Sequence, residues 1–318
     1  MSIIRYPVIL ALAIFLSFDA SAANESKELQ KQRQAAQKER QNQKNQRSRE
    51  ISDGTKAFRE YARELKSGYG PRANELDTQF ELKRIELGAE HDAEVARAEA
   101  DYQQKLSGLF TKSGQEFNEQ TVAQLQADSR AFAEELFSIR KQAARKVHQA
   151  RIAKEERKNA LLTERDRMAL DRANAAGLTR SYAPILATPI GGSLTDQEKK
   201  WNEREKKEVA KLEERNRKSL AEFRNGEKLR SWEIQNLNED FELTWDEKAE
   251  VHALDAEQIL YNSMLTQAVQ AGAFDHQKFM NQMAELGKKK QLIKIEYKKI
   301  RDQRRIERRE KSKKIMAE

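Results

Sequence analysis

The chain carries four histidines, His91, His148, His252 and His276, and no cysteine. The side chains with most chemical reach are therefore imidazoles and carboxylates. His91 with Glu94, and His252 with Asp255, share a His-x-x-acid spacing that puts both groups on one helix face. Helical di-iron sites use the opposite order, Glu-x-x-His, with further inward-facing glutamates, and no such set is found. Lack of thiols excludes zinc-thiolate sites, thiol catalysis and disulfide scaffolds. No serine sits in a nucleophile elbow, no glycine-rich phosphate loop is present, and carboxylates are too numerous on helices for one pair to stand out. The expectation is a protein that is not an enzyme and that holds no metal and no cofactor.

A second kind of chemistry is carried by charge. In residues 288–318 fourteen Lys/Arg stand against five Asp/Glu, a net +9, while the whole chain is +8. Residues 24–50 add +4, which leaves the middle of the chain mildly acidic. Lys288, Lys289, Lys290, Arg304, Arg305, Arg308, Arg309, Lys313 and Lys314 are the candidates for binding an anionic envelope surface or polymer, such as phospholipid headgroups or a phosphorylated glycan. The competing expectation is a solvated helix face laced with i,i+4 pairs, such as Glu307 with Lys311 and Glu310 with Lys314. Nucleic acid is disfavoured, because Tyr297 is the one aromatic in the basic run.

A third feature is a loop at 177–195. Its first eighteen residues hold one charge, Arg180, in a chain that is 35% charged. Leu178, Tyr182, Pro184, Ile185, Leu186, Pro189 and Ile190 are expected to form an exposed apolar patch that binds a protein partner. The competing expectation is a loop that folds back and buries itself. Pro184 and Pro189 favour an extended or turning path that a groove or sheet edge could accept.

The elements that must position these groups are helices. Prolines number four and glycines twelve, and 38% hydrophobic residues is too few for a large globular core. The N-terminus reads as an address: Arg5, an apolar run over 8–16, then Ala20-Ser21-Ala22 before a cleavage point, a signal peptide over 1–22. The apolar run is too short for a bilayer span. Residues 23–66 form a polar Gln/Lys/Arg-rich tail with no apolar residue larger than alanine between Leu29 and Ile51, hence disorder or a solvated helix. Gly68-Tyr69-Gly70-Pro71 should break any helix. Helices are then expected over 74–106, 115–176, 196–271 and from Asp275 onward, with capping boxes at Ser113/Glu116 and Thr195/Glu198. The second has the clearest seam: Val122, Leu125, Ser129, Phe132, Leu136, Ile139, Ala143, Lys146 and Ala150 follow spacings of three and four. Beyond Ile306 the last helix should leave the bundle as a solvated extension.

A shift of 161 positions aligns twelve identities over residues 76–142, Phe80 with Phe241 and His91 with His252 among them, which suggests a duplicated helical hairpin. The fold class expected is all-α: an elongated helical bundle from 74–150 plus 236–314, with 151–235 as a long antiparallel two-stranded coiled-coil hairpin ending in the 177–195 loop. Weak seam positions such as Asp92, Glu99 and Gln103 leave the first helix thinly apolar, so a homo-oligomer could complete it. Function is expected to be that of an exported, periplasmic or cell-surface structural or adaptor protein of the envelope, with a protein partner at the loop and an anionic surface at the C-terminus. A periplasmic holdase chaperone and an accessory component of a secretion or conjugation apparatus are the alternatives.

Overall fold

The structure, a computed structural model, describes residues 6–112, 119–270 and 276–317. Residues 1–5 and the side chains of the expected signal peptide lie outside the described set, as do the Ser113/Glu116 capping box and Asp275. The fold is an all-α helical bundle of four long helices: α1 (Tyr6–Lys112), α2 (Glu119–Ala175), α3 (Asp196–Gln270) and α4 (His276–Ala317). Among the described residues no strand forms, and the pairing outside the helices is one bridge between Ile190 and Ser193 across a Gly191-Gly192 turn.

The expected break at 68–71 is absent. α1 runs through it with Pro71 inside the helix. Proline removes one backbone bond and crowds the turn before it, a cost of about 3 kcal/mol, and each glycine adds up to about 1. Tyr69 and Ala73, four residues apart, are both buried, and this packing offsets the local cost. The polar tail is likewise helical, and it is neither disordered nor solvated all round: Arg40 and Phe58 are buried.

The chain divides into two compact units. The first comprises Met1–Leu65 and Arg167–Phe223, the second Lys66–Asp166 and Arg224–Glu318. In the first unit α1 and α3 run parallel, since Arg40 meets Glu198, Arg47 meets Glu205 and Phe58 meets Phe223. The end of α2 runs antiparallel to α1, with Arg172 over the Tyr61 ring. The first unit is therefore three helical segments, with α1 beside the end of α2 and the start of α3, and Leu220, fully buried, with the edge-on pair Phe58–Phe223 at 5.9 Å, forms its apolar centre. Helix α2 ends in a Schellman motif: Leu178 N–H donates to Ala173 O at 2.9 Å and Gly177 N–H to Asn174 O at 3.0 Å, with Gly177 at φ +75° where a side chain would be strained.

In the second unit successive helices are antiparallel neighbours. α1 meets α2 through the stacked rings of Tyr102 and Phe132, 4.3 Å apart, and through Lys154 and Lys158 on Asp77. The two lysines hold the Asp77 carboxyl below its ordinary range, Lys158 most. α2 meets α3 through Phe137 against Trp245 and His252, and His148 against Phe241. α3 meets α4 through Tyr297, whose hydroxyl donates to Glu250 at 2.7 Å, and through Arg301 on Glu247. The expected α2 seam thus faces α1 through Ser129 and Phe132, while a second stripe, Phe137 and His148, faces α3. The basic end of α4 does not leave the bundle after Ile306. Arg308 binds Asp240 at 2.7 Å and Lys311 sits over the Trp232 ring, because α3 presents acids and an aromatic along that length.

Candidate interaction surfaces

The 177–195 loop lies in the first unit against α1 and α3. Expected as an exposed patch, it is largely packed. Leu178 is buried under the Schellman turn, Tyr182, Pro184, Ile185 and Ile190 are half-buried, and only Leu186 and Pro189 of the seven named residues are exposed. The loop's polar backbone, which would otherwise need water, is satisfied by side chains. From α3, Trp201 Nε1 donates to Ile185 O at 2.9 Å and Asn202 brackets Ala187. Glu213 accepts from Ser181 Oγ and Tyr182 N, and these bonds, the hydroxyl's first, lower its carboxyl below the usual range. The Tyr182 hydroxyl donates to Gly177 O, and burial raises its pKa.

α1 supplies the covering layer. Arg33 donates to Ile190 O at 2.8 Å, Arg47 to Ala183 O at 3.3 Å, and Arg40 lies 3.9 Å from Glu198. At the centre is Glu205, with a side chain 1% exposed, held by Arg47 at 2.5 Å, by the Ile185 N–H at 3.3 Å and by Lys44 at 3.7 Å. Lys44 is shared with Glu208 at 2.5 Å. Glu198 also closes the capping box expected at the start of α3: Thr195 N–H donates to its carboxylate at 2.8 Å, and that backbone bond is the main cause of its lowered pKa. The covering residues escaped the sequence reading. Their signal is periodic: Arg33, Arg40 and Arg47 are seven apart, as are Glu198 and Glu205, so two charged heptad stripes face one another.

The second surface is α4. Of the nine named bases, Lys290 binds Asp255 and Gln258, Arg304 approaches Glu239, Arg305 binds Asp302, and Arg308 binds Asp240 and Glu239. The pairs of Lys290, Arg304 and Arg308 neutralise the side of α4 that faces α3, whereas Arg305 and Asp302 pair within α4. Lys288, Lys289, Arg309, Lys313 and Lys314 are exposed and make no ion pair among the described residues. Lys294, Lys298 and Lys299 share that condition and add to the field.

The histidines do not converge. His91 contacts its neighbour Asp92 at 3.0 Å, His148 bonds Asn238 at 2.7 Å, and His252 stacks on Phe137 at 4.2 Å. Among the described residues no group of three or more His, Asp or Glu is placed to hold a metal ion. No helix among the described residues is long and apolar enough to cross a membrane. No protein-family model, no curated protein and no solved structure matches this chain.

Proposed function

We propose that the protein is an exported, non-enzymatic structural or adaptor protein of the cell envelope that attaches to an anionic surface or polymer through α4. The observation that carries this reading is a set of bases, Lys288, Lys289, Arg309, Lys313 and Lys314, that are exposed and make no ion pair among the described residues while neighbouring bases of the same helix are absorbed by α3. Clustered like charges on one rigid helix raise the local potential and attract polyanions, an effect screened over about 10 Å at 0.1 M salt. A protein partner at the 177–195 loop is the second arm of the proposal. Leu186 and Pro189, with the exposed Ala183 and Thr188, are among the loop residues open to it as folded.

The test is retention of the full protein on immobilised polyphosphate and on vesicles containing phosphatidylglycerol, across a salt series. Neutralising Lys289, Lys313 and Lys314 together should weaken binding at least about tenfold at 0.1 M salt and flatten the salt dependence. Equal retention of this variant and the parent on both matrices would overturn the reading.

A further inference from the structure

The second unit leaves two helix faces uncovered. On α1, Leu82 and Ile85 are 65% and 64% exposed, half a turn away from Phe80, over which Lys154 of α2 sits, and from the buried Leu87. The same outer stripe continues through Ala89, Asp92, Ala96 and Glu99 at spacings of three and four. It contains no base. On α4, Leu292, Ile295 and Ile306 are 64%, 50% and 59% exposed, opposite Tyr297 and the residues that meet α3. Their stripe continues through Lys288, Lys299, Arg309 and Lys313, all exposed, and its single acid, Asp302, is bound by Arg305 at 3.3 Å.

Single exposed leucines need no explanation, but two heptad-spaced stripes, each with large apolar residues and each of opposite charge, do. We infer that these faces bind each other between copies of the chain, the outer face of α1 in one copy docking on the outer face of α4 in another. The charges decide the occupant. Two α4 faces repel, two α1 faces repel, and an anionic membrane suits α4 alone and leaves α1 unexplained. A second copy accounts for both stripes with one contact, in which Asp92 and Glu99 meet Lys299 and Arg309 around an apolar strip formed by Leu82, Ile85, Leu292 and Ile295. Because the two faces differ, the contact either forms twice about a two-fold axis in a reciprocal pair, or forms head to tail and closes as a ring or propagates as a filament. The inference goes beyond the anionic-surface reading. Polyanions and α1 would compete for α4, so polyphosphate should dissociate the assembly.

The experiment is analytical ultracentrifugation of the full chain with two charge-reversed variants, Asp92→Lys/Glu99→Lys on α1 and Lys299→Glu/Arg309→Glu on α4. None of these four side chains bonds to another helix among the described residues, so helicity by circular dichroism should hold for both. The parent should associate with rising concentration. Each variant alone should associate at least about tenfold more weakly, and an equimolar mixture of the two should regain the parental association, since each supplies the face the other lacks. A parental chain that stays a single copy up to about 100 μM, or a mixture no stronger than its components, would overturn the inference. Leu82→Gln/Leu292→Gln provides an independent arm, and unchanged association in that variant would also refute it. The Leu82→Gln/Leu292→Gln variant keeps every base of α4 and adds none, so its retention on polyphosphate tests the anionic-surface reading separately. Loss of association with retained polyphosphate binding in that variant supports the inference, whereas a monomeric parent that still binds polyphosphate refutes self-association and leaves the function standing.

Discussion

Arg47 offers the sharpest test of how the loop is held. Its guanidinium is the nearest partner of Glu205, a carboxylate whose side chain is 1% exposed, and Arg47→Ala leaves that charge to Lys44 at 3.7 Å and to the Ile185 N–H. Lys44 compensates weakly, because Glu208 at 2.5 Å draws it away. Removing one partner of a buried pair costs about 3–5 kcal/mol, and the lost bond to Ala183 O adds about 0.5–1.5. At roughly 4 °C per kcal/mol for a unit of this size, the transition of the first unit should fall by about 14–26 °C. The double variant Arg47→Met/Glu205→Met removes both charges and should recover most of that loss, since apolar replacements of buried pairs are often neutral or better. The residual deficit should be about 1–3 kcal/mol, from the Ile185 N–H left without its acceptor. Urea unfolding followed by circular dichroism measures all three proteins. If Arg47→Ala costs less than about 1 kcal/mol, or if the double variant is no more stable than the single, the buried charge is not what Arg47 compensates and the reasoning fails.

Other outcomes follow from the same geometry. Gly226→Ala places a methyl group 2.6 Å from Asp166 Oδ2 and 2.7 Å from Arg230 Nη1, splitting a buried pair. The clash should exceed the roughly 1 kcal/mol gain in helix propensity and lower stability by about 1–2 kcal/mol in urea titration. Gly177→Ala forces a side chain into φ +75° and should cost about 1 kcal/mol in the same assay. Glu198 and Asp77 have folded pKa values below their unfolded ones, so the stability each adds is complete above about pH 4.5 and is lost as pH falls through the depressed folded values. Glu198→Gln should therefore flatten the acid limb of a urea midpoint against pH profile. Tyr297 is raised from 10.0 to about 12 chiefly by its bond to Glu250, so the stability it adds is complete below pH 10 and lost between pH 10 and about 12. Tyr297→Phe should remove that part of the alkaline slope.

What the linear chain revealed, and what it hid, can be followed residue by residue. The helical seams were legible because spacings of three and four mark a buried stripe whatever it packs against: Phe132 and Ser129 on α2 indeed meet Tyr102. Thr195 with Glu198 was legible because a capping box is closed within four residues. The 161-residue offset is a whole number of heptads, so it brings apolar positions such as Phe80 and Phe241 into the same helical phase. The helix through Pro71 was not legible, because the penalty is local and the compensation, Tyr69 and Ala73 buried one turn apart, is tertiary.

The polar tail of α1, residues 23–66, and the loop show the division most clearly. Composition by itself determined that the chain is helical, that its net charge sits at the ends and that residues 177–195 are a break unlike the rest. Only the tertiary structure decided what covers that break. The tail has no apolar residue larger than alanine between Leu29 and Ile51, so a hydrophobic count assigns it to solvent. It packs instead through Arg33, Arg40, Lys44 and Arg47, and the value of those charges depends on finding Glu198, Glu205 and unpaired loop carbonyls about 160 positions away. A charged side chain has no fixed burial preference of its own, because its partner sets the balance between desolvation and pairing, and that partner is a property of the fold.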